Sequence, residues 1–422
     1  MSDPVPVLWD VLEEHLDEAE YLFEAFDRAL GAPDYNLPEL AAGLESRLLA
    51  HVDGLVIGGP PVVDRLLAPT WSDEKAPRAR VTVAAWVGLN LAALDPWWAG
   101  FVAASPEGAR AMARALTLGD PQGLLARLPE AVGPNLAAAV WALVDRAEVQ
   151  DELLPTLLRR LEPEVHAAAL SLARFSSERV SSGYWERALN TPPGPIRAAG
   201  AELALVFGRL EALEVARQEP TLAGLLLQLG DRPSWDRVET LLADPIHGPS
   251  LWLSIGCAGW AAGAEVAVSQ LEQADHHRVA AEAFQRITGI DWAAEGALLP
   301  PAPEAELPSL AEDLPYAALL PNVEDDLPRV DPERVRAWWK DHRGQFEPGV
   351  RYHLGRPLGD QEMQVALQSG PLRPRHLWAR ELLVRSHGQL AIPSSALSAA
   401  QRSALQRWPK RLELSAPYSG RR

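Results

Sequence analysis

Cysteine is almost absent. Cys257 is the single one in 422 residues, which excludes any disulfide within the chain and any metal site built from several thiolates. That usage suits a reducing compartment, and a cytoplasmic location is expected. Alternating β-branched runs are scarce, which argues against extended sheet. No glycine loop reads GxxxxGK before Ser or Thr, and none reads GxGxxG behind a strand, so a phosphate cradle is not expected. The GxSxG and HExxH patterns are missing as well. The start MSDPVPVLWD has neither the basic residues nor the apolar run of a signal peptide. Basic charge is in deficit, 39 Lys and Arg against 57 Asp and Glu. The resulting net charge of -18 repels phosphate and disfavours a nucleic-acid partner. No catalytic, cofactor-binding or metal-ligating set emerges.

What is present is a returning helical phrase. It reads PRARVTVAAWVGLNLA from Pro77, PNLAAAVWALVDRA from Pro134, PEVHAAALSLARFS from Pro163 and GPIRAAGAELALVFG from Gly194. It continues as PTLAGLLLQLGDRP from Pro220, GPSLWLSIGCAGWAAG from Gly248 and HRVAAEAFQRITGID from His277. A period near 29 residues points to stacked helix pairs that bury their apolar faces only against neighbours. Ser105-Pro106 and Asp120-Pro121 read as capped helix starts, and Gly289 reads as a left-handed helix stop. The stretch Leu251 to Val268 approaches membrane-spanning length. It carries Glu265 and falls on the repeat, so it is read as core, with no membrane insertion expected.

The expected fold is all-α: a right-handed α-solenoid of short HEAT-like helix-pair repeats over residues 69–297. Residues 1–68 form an N-terminal helical cap. In it Leu12, Leu16, Ala19, Phe23 and Phe26 share one face, and Glu13, Glu14, Asp17, Glu18 and Glu20 crowd the rest. Residues 298–330 read as a Pro-rich acidic linker lying on the body through Leu314, Tyr316, Leu319 and Leu320. Residues 331–422 read as a C-terminal module, with Asp331 capping its first helix and a turn or short strand pair in FEPGVRYHLGRPLG.

From Arg329 onward 17 basic residues meet 8 acidic ones, so the tail reads as packing on an acidic body, with a basic patch for an outside partner as the alternative. Candidate partner-binding residues are Trp97, Trp98, Trp338 and Trp339, because buried aromatics carry much interface energy, and Arg373, Arg375 and Arg380, a basic stripe beside His376. Adjacent Trp cannot both point straight inward, so one of each pair is expected at an edge or a domain seam. For all seven, internal packing competes with an external role. His15 reads as solvated or salt-bridged, His51 has no metal partner nearby in sequence, His276 and His277 read as a polar turn between repeats, and Cys257, within LWLSIGCAGWAAG, reads as an inert buried thiol.

Three stretches carry a family resemblance: residues 19–59, HRVAAEAFQRITGIDW at 277–292, and DLPRVDPERVRAWWKDHRGQFEPGVRYHLGRPL at 326–358. They resemble an uncharacterised proteobacterial family of HEAT-like repeat proteins whose genes tend to lie near those of type VI secretion effectors. The resemblance implies a non-enzymatic protein-binding scaffold, an adaptor, chaperone or immunity protein for a secreted toxin or effector. An acidic surface would suit a basic toxin. The region from Ser369, SGPLRPRHLWARELL, lacks the glutamines and much of the alanine of that family. Two alternatives stand beside this reading. One is a ligand-handling enzyme of the HEAT-like bilin-lyase kind, which would present a concave pocket of convergent polar groups. The other is a structural scaffold of a larger assembly.

Overall fold

The computed structural model describes residues 7–149, 151–176, 180–244, 246, 248–300, 324–409, 412, 414, 417 and 418. Helix makes up 66% and strand 3%, so the chain is all-α. Among the described residues no helix is long and apolar enough to cross a membrane.

Helix α1 (Trp9–Ala29) buries Leu12, Leu16, Ala19, Leu22, Phe23 and Phe26 on one side, as its apolar spacing predicts. Asn36 opens the next helical stretch. Its side chain accepts from Glu39 N–H at 2.9 Å, and Glu39 accepts back from Asn36 N–H at 3.2 Å, a reciprocal cap. A wide turn over Ala41–Glu45 leads into α2 (Ser46–Ile57). The chain then lays down α3 (Arg78–Asn90), α4 (Leu94–Ala103), α5 (Pro106–Leu118), α6 (Gly133–Asp145), α7 (Pro163–Leu172), α8 (Ser182–Leu189), α9 (Pro195–Val206) and α10 (Ala223–Gln228), with shorter turns between.

The helices pack in sequence order. Helix α1 lies on α3, α3 on α5, α5 on α6, α6 on α7 and α7 on α9. Further on, α10 lies on α11 (Gly248–Ala258), and α11 with α12 (Ala261–Gln270) packs on α13 (His277–Thr288). The repeated phrases lie in α3, α6, α7, α9, α10, α11 and α13 and are covered on several sides, whereas α1 and α5 keep a charged face. Helix α9 buries every residue from Ala198 to Val206. Each Leu so covered contributes roughly 1.5–3 kcal/mol. Small residues set the spacing: a Cβ placed on Gly200 would lie 2.4 Å from the Ala188 Cβ across the α8–α9 contact.

Three local expectations are met and one is revised. Ser105 caps α5 by accepting from Gly108 N–H at 3.2 Å, Gly289 ends α13 at φ +69°, and Asp331 caps α14 (Pro332–His342). The gap between the phrases at Pro77 and Pro134 is filled by α5, a full unit whose Arg-rich face masks the pattern. The apolar run from Leu251 breaks at Gly259, φ +76°, into α11 and α12.

The start of the C-terminal region joins the core of the last helices, while Leu358, Met363, Leu367, Trp378, Leu382 and Leu405 form a core of their own with Cys257. Val330, Val335, Trp339, Phe346 and Tyr352 share a core with Trp252, Phe284 and Ile287. A two-residue hairpin, β1 (Tyr352–His353) with β2 (Arg356–Pro357), is clamped to the ends of α11 and α13. Tyr352 N–H donates to Gly259 O at 2.7 Å and Leu354 N–H to Arg286 O at 2.7 Å. Any Cβ at Gly259 would sit 2.4 Å from Tyr352 O. Then α15 (Asp360–Ser369) and α17 (Ser398–Leu405) reach back to Leu37–Leu40, while α16 (Arg375–Arg385) packs on α9, α10 and α11. The tail therefore bridges the N-terminal helices and the later ones. Most of the expected linker, including Leu314, Tyr316, Leu319 and Leu320, lies outside the described residues.

Candidate binding cleft

Residues of successive packed helices line one concave surface. Helix α1 contributes Phe23, Glu24, Asp27 and Arg28; α3 contributes Arg78 and Thr82; α5 contributes Arg110 and Arg114; α6 contributes Ala138, Trp141 and Asp145. Spacings of three and four keep each set on one helix face. They line a cavity of about 810 Å³. A second, of about 720 Å³, is walled by the tail through Leu372, Arg375, His376, Ala379 and Arg380, and by Ser394 and Ser395. Both are lined by Asp27, Arg114, Trp141 and Asp145, so they form one groove.

Trp141 stands at the junction, 43% exposed, beside Ala137, Ala138 and Ala142. A large ring over small side chains leaves open apolar area for an occupant. Arg114 donates to Asp27 Oδ1 at 2.9 Å and to the Ser395 carbonyl at 2.8 Å, joining α5 to α1 and to the tail. Asp145 is water-accessible yet crowded by the concave walls. Desolvation raises its carboxyl above the ordinary range, Asp27 adds to the rise, and Arg114 and Arg174 oppose it.

Deeper in, Glu202 of α9 lies between two guanidinium groups. Arg380 reaches it at 2.7 and 2.9 Å, and Arg174 pairs with it as well. Burial alone would raise the Glu202 carboxyl, but the two arginines outweigh it and hold it down at about 2. Arg375 differs from both. It is 1% exposed, and its Nε donates to Gln401 Oε1 at 3.0 Å. Its two terminal nitrogens make no hydrogen bond. Burial without a neighbouring acid brings its guanidinium down to about 10.

The structure brings two of the seven predicted residues, Arg375 and Arg380, into this groove. The other five are occupied elsewhere within the fold. Trp97 is fully buried, donates Nε1–H to the Ala85 carbonyl at 3.1 Å and stacks on Phe101. Trp98 is buried beneath Arg127, 5.2 Å from the ring centroid. Both members of this pair are thus covered, where one is expected at an edge or a domain seam. In the second pair Trp339 is buried and Trp338 is half-buried, stacked on His342 at 4.2 Å. Arg373 pairs with Glu282 at 3.3 Å and Glu324 at 3.0 Å. Two arginines of the stripe, Arg373 and Arg380, meet body carboxylates, Glu282 and Glu202, which is the tail-on-body packing expected from the charge asymmetry.

Trp141, Arg114, Asp27 and Asp145 are the groove residues that sequence reading passed over. A signal existed in PNLAAAVWALVDRA, where Trp141 and Asp145 interrupt an otherwise apolar helix at a spacing of four. His15 and His51, distant in sequence, meet at 3.0 Å between α1 and α2. His277 accepts from Val330 N–H at 3.0 Å and contacts the Leu271 carbonyl, a turn role. Among the described residues no group of three or more His, Cys, Asp or Glu is placed to hold a metal. Burial pushes the Cys257 thiol up to about 12, which suppresses nucleophilic thiolate. Comparison with protein-family models, with curated proteins and with solved structures returned no match for this chain.

Proposed function

We propose that this protein is a non-enzymatic binding scaffold, a right-handed α-solenoid of HEAT-like helix pairs whose groove receives a segment of a partner protein. The observation that carries it is Trp141, an exposed aromatic on a small-residue floor, flanked by Arg114, Asp27 and Asp145. Exposed Trp beside Arg is the composition of interface anchors. Two adjoining cavities of this size suit an extended segment. Through the family resemblance the partner is a secreted effector of the type VI kind, and the role that of an adaptor, chaperone or immunity protein in the cytoplasm. The net acidic charge of the chain attracts a basic partner to the protein.

The test is affinity purification of the tagged full-length protein from its host. A partner recovered at stoichiometric level with wild type, lost with Trp141→Ala and kept with Ile57→Ala, an 86% exposed residue away from the groove, supports the reading. A partner kept by Trp141→Ala overturns it.

A ligand-handling enzyme is the second reading. It is favoured by convergent polar groups in a concave pocket and by the raised Asp145 carboxyl, since raised carboxyls serve as acids near neutral pH. Turnover of a small molecule by the purified protein, abolished in Asp145→Asn, would select it.

A further inference from the structure

We propose that the tail-walled end of the groove is a carboxylate-binding subsite centred on Arg375, and that the occupant brings a single carboxylate there. The inference rests on the groove being the binding site and names the chemistry it recognises.

The argument is one of charge matching. Four arginines line this end: Arg114, Arg174, Arg375 and Arg380. Three carboxylates face them: Asp27, Asp145 and Glu202. Arg114 is paired with Asp27, and Arg174 and Arg380 share Glu202. Arg375 has only the neutral Gln401 on its Nε, and both terminal nitrogens are without hydrogen bonds although the residue is buried. An unpaired buried guanidinium is strongly disfavoured. A forked donor pair matches a carboxylate in bidentate geometry. The surplus is one positive charge, which fits a monoanion. The three resident carboxylates would repel the second charge of a phosphate.

The subsite is tested without any partner, by thermal unfolding of the full chain in sodium acetate against sodium chloride at equal ionic strength. Acetamide serves as the neutral isostere and sodium phosphate as the competing oxyanion. The expected result is a saturable Tm rise of about 2 °C at ten times the acetate Kd, with no rise in acetamide and a smaller one in phosphate. Arg375→Met, which keeps the stem and removes the charge, should abolish the rise without lowering Tm in chloride. Arg375→Lys should retain part of it. A fall in Tm for Arg375→Met in chloride, with acetate and chloride indistinguishable for wild type, would assign Arg375 a structural role and overturn the proposal. A larger rise in phosphate than in acetate would overturn the carboxylate assignment. Because the readout is anion binding, its failure leaves partner capture at Trp141 untouched, and failure of partner capture leaves the subsite standing.

Discussion

Ser398 holds both oxygens of Glu45: its hydroxyl donates to Oε1 at 2.7 Å and its backbone N–H to Oε2 at 2.9 Å. The two residues are buried and 353 positions apart. This contact ties the start of α17 to the turn before α2. Replacing the hydroxyl leaves a buried carboxylate oxygen without its donor. Ser398→Ala is therefore expected to destabilise by ~1–3 kcal/mol. Urea unfolding measures the loss, and limited proteolysis should show earlier cleavage after α16. Unchanged stability would mean the tail is held elsewhere.

Glu381 is the centre of a second buried contact. Arg351 reaches it at 2.6 and 3.0 Å, and Arg385 at 2.6 Å. All three are nearly or fully buried, and Arg351 also donates to the carbonyls of Cys257, Ala258 and Leu414. Removing the one acid leaves the charges of Arg351 and Arg385 without its counter-charge in a low-dielectric interior. Glu381→Gln should cost about 3–5 kcal/mol, read as a lowered urea midpoint. A change under 1 kcal/mol would show that the carbonyls alone satisfy Arg351.

His353 supplies a pH dependence. Burial, and secondarily the charge of Arg286, brings its imidazole down to about 4 in the fold, against ~6.5 in an unfolded chain. Below pH 6.5 the unfolded state therefore binds a proton that the folded state refuses. Stability should be level above that value and fall as pH drops from about 6.5 toward 4, by up to ~1.4 kcal/mol per pH unit. His353→Gln should flatten the fall over that window. An identical slope in the variant would place the titration at another group.

Gly200 tests the spacing of the helix row. A methyl there would approach the Ala188 Cβ to 2.4 Å, so α8 and α9 must separate. Gly200→Ala removes backbone freedom from a helix, which by itself favours folding by roughly 0.5–1 kcal/mol. The overpacking opposes it at ~1–3 kcal/mol. Net destabilisation by denaturant unfolding is expected, and a stabilised variant would show that α8 moves freely.

Helices were legible where local spacing carries the information. Leu12, Leu16, Ala19, Phe23 and Phe26 recur at three and four residues, and a helix turned that way buries them whatever it meets. Caps at Ser105 and Asp331 and the stop at Gly289 depend on one or two residues of backbone chemistry. The unit at α5 was harder, because Arg110 and Arg114 break its apolar run, and those are the residues that face the groove. One Trp of each pair is expected at an edge or a domain seam, yet both Trp97 and Trp98 are covered by elements the pattern does not place.

Sequence by itself settles that this chain is helical, periodic and packed on small residues, since propensity and periodicity act over a few neighbouring positions. It does not settle which charges are answered. Arg373, Arg375 and Arg380 sit within one short stretch and look alike, yet the first pairs with Glu282 and the third with Glu202. The middle one is buried with no acid beside it. Only the tertiary structure decides that difference. The field at a side chain comes from groups close in space, and here those come from α1, α5, the α7 end, α9 and the tail.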